Sequence, residues 1–234
     1  MKTPAEKFLF TTLTCALFLC GKSLMASDRP TGSLVAVEEF VVAGQKANLD
    51  WSIKYPAKVD PEGNPTTDST MEIRLIGAAV GYTSGITLDA SLNGEMKRFY
   101  NGYGELHPSY DITPGEIVAS VDTKAGTDVE FHVYHWKDNP HYDNRITKNN
   151  GWVSTNHPDQ QKQFIKLLDG DTVPDYHRNG AQSKIEELID QYLDEDGRVS
   201  IGDNSVIITF EVYTENPNSG GFDMQDVIVL VTYK

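Results

Sequence analysis

Two segments near the C-terminus decide the fold, Ser205-Val-Ile-Ile-Thr-Phe-Glu-Val-Tyr-Thr214 and Asp226-Val-Ile-Val-Leu-Val-Thr-Tyr233. In the first segment, apolar side chains fill every second position: Val206, Ile208, Phe210 and Val212. An alternation with a period of two predicts a half-buried β-strand, and the apolar second segment predicts the final strand. A polar loop over 216–225 joins them, so we expect a hairpin with strands at 205–214 and 226–233.

The same period of two recurs upstream, and Gly and Pro residues separate the runs. Further strands are predicted at 34–43, 47–55, 70–77, 86–92, 115–122 and 127–136. Strands do not alternate regularly with helices, which argues against a parallel α/β fold. The pattern therefore predicts a mainly β protein, an antiparallel β-sandwich of the Greek-key or jelly-roll kind.

Residues 137–200 interrupt the strand pattern with a small helical insertion. We expect one short helix after Pro158, ending near Gly170. A second helix over 183–193 is indicated by a capping-box pattern and by an apolar stripe at helical spacing. Strand signals return after the insertion, so we expect a single domain over 27–234.

The N-terminus has the composition of a secretory signal peptide. Lys2 and Lys7 precede an apolar run over 8–20, and small residues follow it. We therefore expect a signal peptide over 1–26 and a secreted, periplasmic or extracellular bacterial protein. A lipoprotein attached through Cys20 and a buried N-terminal helix remain alternatives. The run is too short for a stable anchor, so no membrane span is expected.

The charge restricts the class of partner. The chain has 34 acidic against 20 basic residues, a formal net charge of −14. Such a surface repels phosphates, so we expect no nucleic-acid partner, whereas it suits divalent cations. We found neither a zinc-protease H-E-x-x-H motif nor a G-x-S-x-G motif, and we assign no catalytic residues.

Three carboxylates are predicted to meet at the base of the final hairpin. Glu215 directly follows the first strand, Asp226 begins the second, and Asp223 lies three residues before Asp226. Carboxylate, amide and carbonyl oxygens are the ligands that Ca²⁺ prefers. We therefore expect Glu215, Asp223 and Asp226 to bind one Ca²⁺. The alternative is a solvated hairpin loop with ordinary turn residues.

The same segment resembles a known family. Glu215-Asn216, a short polar loop and Phe222-Asp-Met-Gln-Asp-Val-Ile-Val229 are similar to the acidic C-terminal signature of LruC-type and related exported bacterial β-sandwich domains. Those domains typically have Asn where Gln225 stands here. The resemblance implies a cation site and a surface or extracellular setting, and it offers no catalytic activity to transfer.

A second candidate site is a loop rich in aromatic and amide residues. Its possible ligand-binding residues are Trp136, Tyr142 and Trp152, because exposed rings stack on the apolar faces of sugars. Two functions are therefore expected. The first is a non-enzymatic exported protein that has a structural, adhesive or matrix role and is stabilised by Ca²⁺. Its partner would be a surface or matrix protein. The alternative is a carbohydrate-binding module or carbohydrate-active enzyme that binds polysaccharide.

Overall fold

The computed structural model describes residues 31–36, 49–54, 56–80, 84–103, 114–137, 152–176 and 184–234. Its strands are β1 Thr31–Ala36, β2 Leu49–Lys54, β3 Ser69–Ala78, β4 Ser84–Leu92, β5 Glu95–Tyr103, β6 Ile117–Thr123, β7 Val129–Lys137, β8 Trp152–Ser154, β9 Phe164–Leu167, β10 Ser205–Phe210 and β11 Val227–Tyr233. The helical elements described are α1 Ile185–Leu188 and two 3₁₀ turns, Pro158–Gln160 and Asp190–Tyr192.

Two antiparallel sheets pack face to face, which confirms the predicted β-sandwich. The five-stranded sheet has the order β6-β3-β11-β10-β9, and the four-stranded sheet has the order β5-β4-β7-β8. Strands β1 and β2 form a separate antiparallel pair. The predicted C-terminal hairpin is also confirmed, because β10 and β11 pair from Ser205↔Thr232 to Phe210↔Val227.

The main core lies between the two sheets. Each inner strand contributes every second side chain, as the period of two requires. The core includes Ile73 and Leu75 of β3, Ile86 and Leu88 of β4, Phe131 and Val133 of β7, Ile208 and Phe210 of β10, and Val229 and Val231 of β11. Burial of one such side chain stabilises the fold by about 1.5–3 kcal/mol.

A second apolar cluster covers the opposite face of the five-stranded sheet. There Ile207, Ile228 and Leu230 pack with residues from 164–176 and 184–201, namely Leu167, Val173, Ile185, Ile189 and Val199. Strands β10 and β11 are therefore buried on both faces, which explains the unbroken apolar run at 227–231. The loop that joins these two strands consequently begins and ends inside the protein.

The helix predicted after Pro158 is wrong beyond its first turn. Residues Phe164–Leu167 form strand β9, which pairs with β10 through Phe164↔Phe210. An apolar pair at positions 164 and 167 fits a helix in isolation, but the free edge of β10 offers backbone hydrogen-bond partners that a helix would leave unpaired.

The second predicted helix is shorter than expected. It consists of α1 and the 3₁₀ turn at Asp190–Tyr192, and Ile185 and Ile189 are its buried residues. The segment over 137–200 also supplies β8 and β9, so it extends both sheets as well as covering one of them. The signal-peptide prediction for 1–26 lies outside the described residues. In the described part of the chain, no helix has the length and apolarity that a membrane span requires.

Candidate metal centre

The end of the β10–β11 hairpin brings two carboxylates together. The last pair of the ladder is Phe210↔Val227. Glu211 follows Phe210, and Asp226 precedes Val227. The hairpin loop therefore begins and ends with an acidic side chain at the same level of the sheet. The carbonyl of Asp226 also accepts a hydrogen bond from the backbone N–H of Ala79 at 3.1 Å, which fixes this corner against the end of β3.

Asp223 completes a buried group of three carboxylates. Glu211, Asp223 and Asp226 each place one carboxylate oxygen within 4.8 Å of the others. The residues are only 0%, 6% and 4% exposed, respectively. None of the ion pairs between described residues includes any of the three. A buried charge of this kind requires a proton or a cation to compensate it.

Glu211 organises the loop through its carboxylate. Its Oε1 accepts hydrogen bonds from the backbone N–H groups of Tyr213 at 2.8 Å and Thr214 at 3.1 Å. Its Oε2 accepts one from the backbone N–H of Asp223 at 3.1 Å. One side chain therefore binds the start and the end of the loop, and charged acceptors make such hydrogen bonds stronger than neutral ones do.

The two aspartates are held by the chain around them. Asp226 Oδ2 accepts a hydrogen bond from the backbone N–H of Val212 at 2.7 Å. Asp223 Oδ2 accepts one from the buried side-chain amide of Gln225 at 3.0 Å. Between them, Met224 has a positive φ of 59° and a fully buried side chain. Burial of the Met224 side chain in the second apolar cluster offsets the cost of the left-handed turn.

Burial and mutual repulsion raise the pKa values of both aspartates. The pKa of Asp223 is raised to about 6, first by loss of water and then by the charge of Glu211. The pKa of Asp226 is raised well above its usual value by burial and by the charges of Glu211 and Asp223. Three ionised carboxylates are therefore unfavourable here unless a cation lies among them.

A neutral amide oxygen belongs to Gln163, which is bonded to the backbone of Glu211. The backbone N–H of Glu211 donates to the carbonyl of Gln163 at 2.8 Å, and Gln163 Nε2 donates to the carbonyl of Glu211 at 3.1 Å. The side chain of Gln163 is buried, and its Oε1 has no hydrogen-bond partner among the described residues. A buried amide oxygen with unused acceptor capacity is a candidate ligand for a hard cation.

The structure brings together two of the three predicted ligands. Asp223 and Asp226 are in the group, whereas Glu215 is exposed and lies outside it. The ladder ends at Phe210, so Glu215 is displaced into the loop and Glu211 takes the place expected for it. The missed signal is the acidic residue between Phe210 and Val212, at the position opposite Asp226.

Of the residues predicted to bind a ligand in the 134–152 region, Trp136 is buried and Trp152 is exposed. Trp136 is 3% exposed, and a Cβ atom at Gly85 would lie only 2.0 Å from its ring. Trp136 therefore packs closely on the backbone of β4 and is not an exposed stacking residue. Trp152 is 42% exposed. Tyr142 lies outside the described residues.

Comparisons with protein-family models, with curated proteins and with solved structures found no match for this chain.

Proposed function

We propose that Glu211, Asp223 and Asp226 bind one Ca²⁺ that stabilises an exported, non-enzymatic β-sandwich protein. The observation that carries the proposal is the burial of three carboxylates at 0%, 6% and 4% exposure with no described ion pair to any of them. An isolated buried carboxylate is costly, and a divalent cation would compensate all three at once.

The donor set favours a hard cation. The group contains carboxylates without a histidine or a cysteine, and oxygen ligands suit Ca²⁺, Mg²⁺ and Mn²⁺ better than softer metals. Oxygens on opposite sides of a Ca²⁺ ion lie at most about 4.6–5.2 Å apart, given Ca–O distances of about 2.3–2.6 Å. One oxygen from each of the three carboxylates lies within 4.8 Å of the other two, so the three fit inside that shell.

The position of the group supports a structural role for the cation. A catalytic metal keeps a coordination position open to water or substrate. The three carboxylate side chains are almost fully buried, and they join the loop over 212–225 to strands β10 and β11 of the five-stranded sheet. A cation at this point would fix the loop and neutralise part of a net charge of −14.

The structural, adhesive or matrix role that we propose follows from this cation and from the sequence-based expectation of export. Calcium is abundant outside cells, so a loop that needs it is ordered where an exported protein works. The partner that we propose is a surface or matrix component. Cell fractionation of a tagged full chain tests the export: recovery in the cytoplasmic fraction at full length would contradict it.

Calorimetric titration of the full chain with CaCl₂ after chelator treatment tests the cation site. We expect one ion per chain and loss of the binding signal in Glu211→Gln. The matched control is Glu215→Gln, which removes the same charge from an exposed position four residues later and should bind as the wild type does. Absence of binding to the wild type, or equal loss in both variants, would contradict the proposal.

A further inference from the structure

The outer face of the four-stranded sheet carries aromatic and polar side chains in two rows. Because Ile86, Leu88 and Ala90 point into the core, the intervening residues of β4 face away from it. The strand register then aligns one row across all four strands, Asn101, Thr87, Tyr134 and Trp152, and a second row beside it, Arg98, Asp89, His132 and Ser154.

Trp152 lies at the centre of an aromatic group on this face. Its ring is inclined by 14° to that of His132 and by 22° to that of Tyr134, with centroids 6.5 and 6.4 Å away. The ring of His157 meets the Trp152 ring edge-on at 5.3 Å. Three neighbouring rings therefore fix the orientation of an indole that remains 42% exposed, and a preoriented ring loses little conformational entropy on binding.

Planar polar groups on β5 lie in the same two rows as these rings, with strand β4 between them. The guanidinium of Arg98 donates to both oxygens of Asp89, at 2.9 Å from Nε and 3.3 Å from Nη2, while its side chain stays 58% exposed. The Oδ1 of exposed Asn101 accepts a hydrogen bond from the hydroxyl of Thr87 at 2.8 Å, a bond that does not use the amide nitrogen. Both groups have N–H donors that these hydrogen bonds do not use.

We propose that this aromatic face, Trp152 with Tyr134, His132, Asn101 and Arg98, binds a neutral polysaccharide. The C–H face of a pyranose ring packs on an indole, and the sugar hydroxyls bind planar groups such as guanidinium and amide. The proposal is independent of the cation site, because no residue of the aromatic face belongs to the carboxylate group. It differs from the sequence-based expectation in that Tyr134 and His132, rather than the buried Trp136, accompany Trp152.

Charge distinguishes a sugar from other ligands with flat faces. Stacking of this kind also serves nucleic-acid bases, but those ligands bring phosphates that a chain of net charge −14 repels. The ion pair of Arg98 with Asp89 leaves no net positive charge between those two residues for an anionic polymer. A neutral polysaccharide carries no phosphates and needs no positive charge on the protein, so neither argument excludes it.

Affinity electrophoresis of the full chain tests the proposal. The probes are soluble hydroxyethylcellulose, xylan, glucomannan, laminarin and dextran in the gel, with pull-down on insoluble cellulose and chitin. We expect retardation or capture by at least one of them. Trp152→Ala should weaken binding by at least about tenfold, as the truncation of a central aromatic anchor does, and Trp152→Phe should retain part of it.

The matched control is Ile117→Ala, because Ile117 is also an exposed apolar strand residue, 44% exposed on β6 of the five-stranded sheet and away from the aromatic face. Its binding should equal that of the wild type. Circular dichroism and melting curves show that each variant is folded. Failure of the wild type to bind any of the seven probes, or binding unchanged by Trp152→Ala, would overturn the proposal.

Discussion

Glu211 and Asp223, twelve positions apart in the chain, are joined by a hydrogen bond of 3.1 Å from the backbone N–H of Asp223 to Oε2 of Glu211. The bond connects the end of the loop between β10 and β11 to the Glu211 carboxylate, whose charge also repels the Asp223 side chain. The Glu211 carboxylate therefore attracts the backbone N–H of Asp223 and repels its side-chain carboxylate. A cation among the carboxylates would leave the hydrogen bond in place and cancel the repulsion.

Glu211→Ala is expected to destabilise the protein strongly. The substitution removes the acceptor of three backbone N–H groups, those of Tyr213, Thr214 and Asp223, and the bond from Asp223 is buried. An unsatisfied buried donor costs about 1–3 kcal/mol, so urea denaturation should show a loss of that size. Glu215→Ala, in an exposed position, should change the free energy of unfolding by less than about 0.5 kcal/mol; similar losses in both variants would contradict the assignment.

Calcium should raise the melting temperature of the wild type, and chelator should reverse the change. A ligand specific to the folded state stabilises by about 2.7 kcal/mol at a hundredfold excess over Kd. For a chain of this size that corresponds to about 5–10 °C. Asp223→Asn should lose most of this response, and Mg²⁺ should replace Ca²⁺ poorly because it demands a smaller octahedral shell. Identical melting curves in calcium and in chelator would show that no cation stabilises the fold.

The metal-free protein should lose stability as the pH rises. The pKa of Asp223 is raised from 3.8 to about 6, so between these values the folded state holds a proton that the unfolded chain has released. The contribution of Asp223 is therefore fully present below about pH 4 and is lost as the pH rises through 6. The raised pKa of Asp226 extends the loss to higher pH.

Urea denaturation in chelator from pH 4 to 8 measures this dependence. Asp223→Asn isolates the contribution of one group, since its pH profile should fall less steeply than that of the wild type between pH 4 and 6. Parallel profiles for the two proteins would contradict the buried, repelled state of Asp223. In saturating calcium the wild-type profile should flatten above pH 6, because the cation competes with the protons.

Ile189→Ala tests whether the segment over 164–201 is part of the fold. Ile189 is fully buried in the cluster that covers the five-stranded sheet, and a truncation of this kind costs about 2–5 kcal/mol. The half-buried Leu188 is the matched control, and Leu188→Ala should cost clearly less. Melting curves of the two variants decide the point: equal effects would mean that the segment is only loosely attached to the sheet.

The sequence predicts the sandwich and the final hairpin because alternation with a period of two is a local property. It does not show which strand faces are covered. Glu211 directly follows β10 at an alternating polar position, which normally faces water, but here residues from 164–176 and 184–201 cover that face of the sheet. Trp136 was predicted as an exposed ligand-binding residue, and its burial was missed for a related reason, since that burial depends on close packing against Gly85 of a neighbouring strand. Both errors come from contacts between residues distant in sequence.

A crystal structure of the protein grown in calcium chloride, with anomalous scattering recorded at a long wavelength, tests the central claim most directly. We predict an anomalous peak between Glu211, Asp223 and Asp226, with carboxylate oxygens at about 2.3–2.6 Å from it. A structure in saturating calcium with no peak there, in which the three carboxylates still lie together, would contradict the claim: a proton rather than a cation would then compensate their charge.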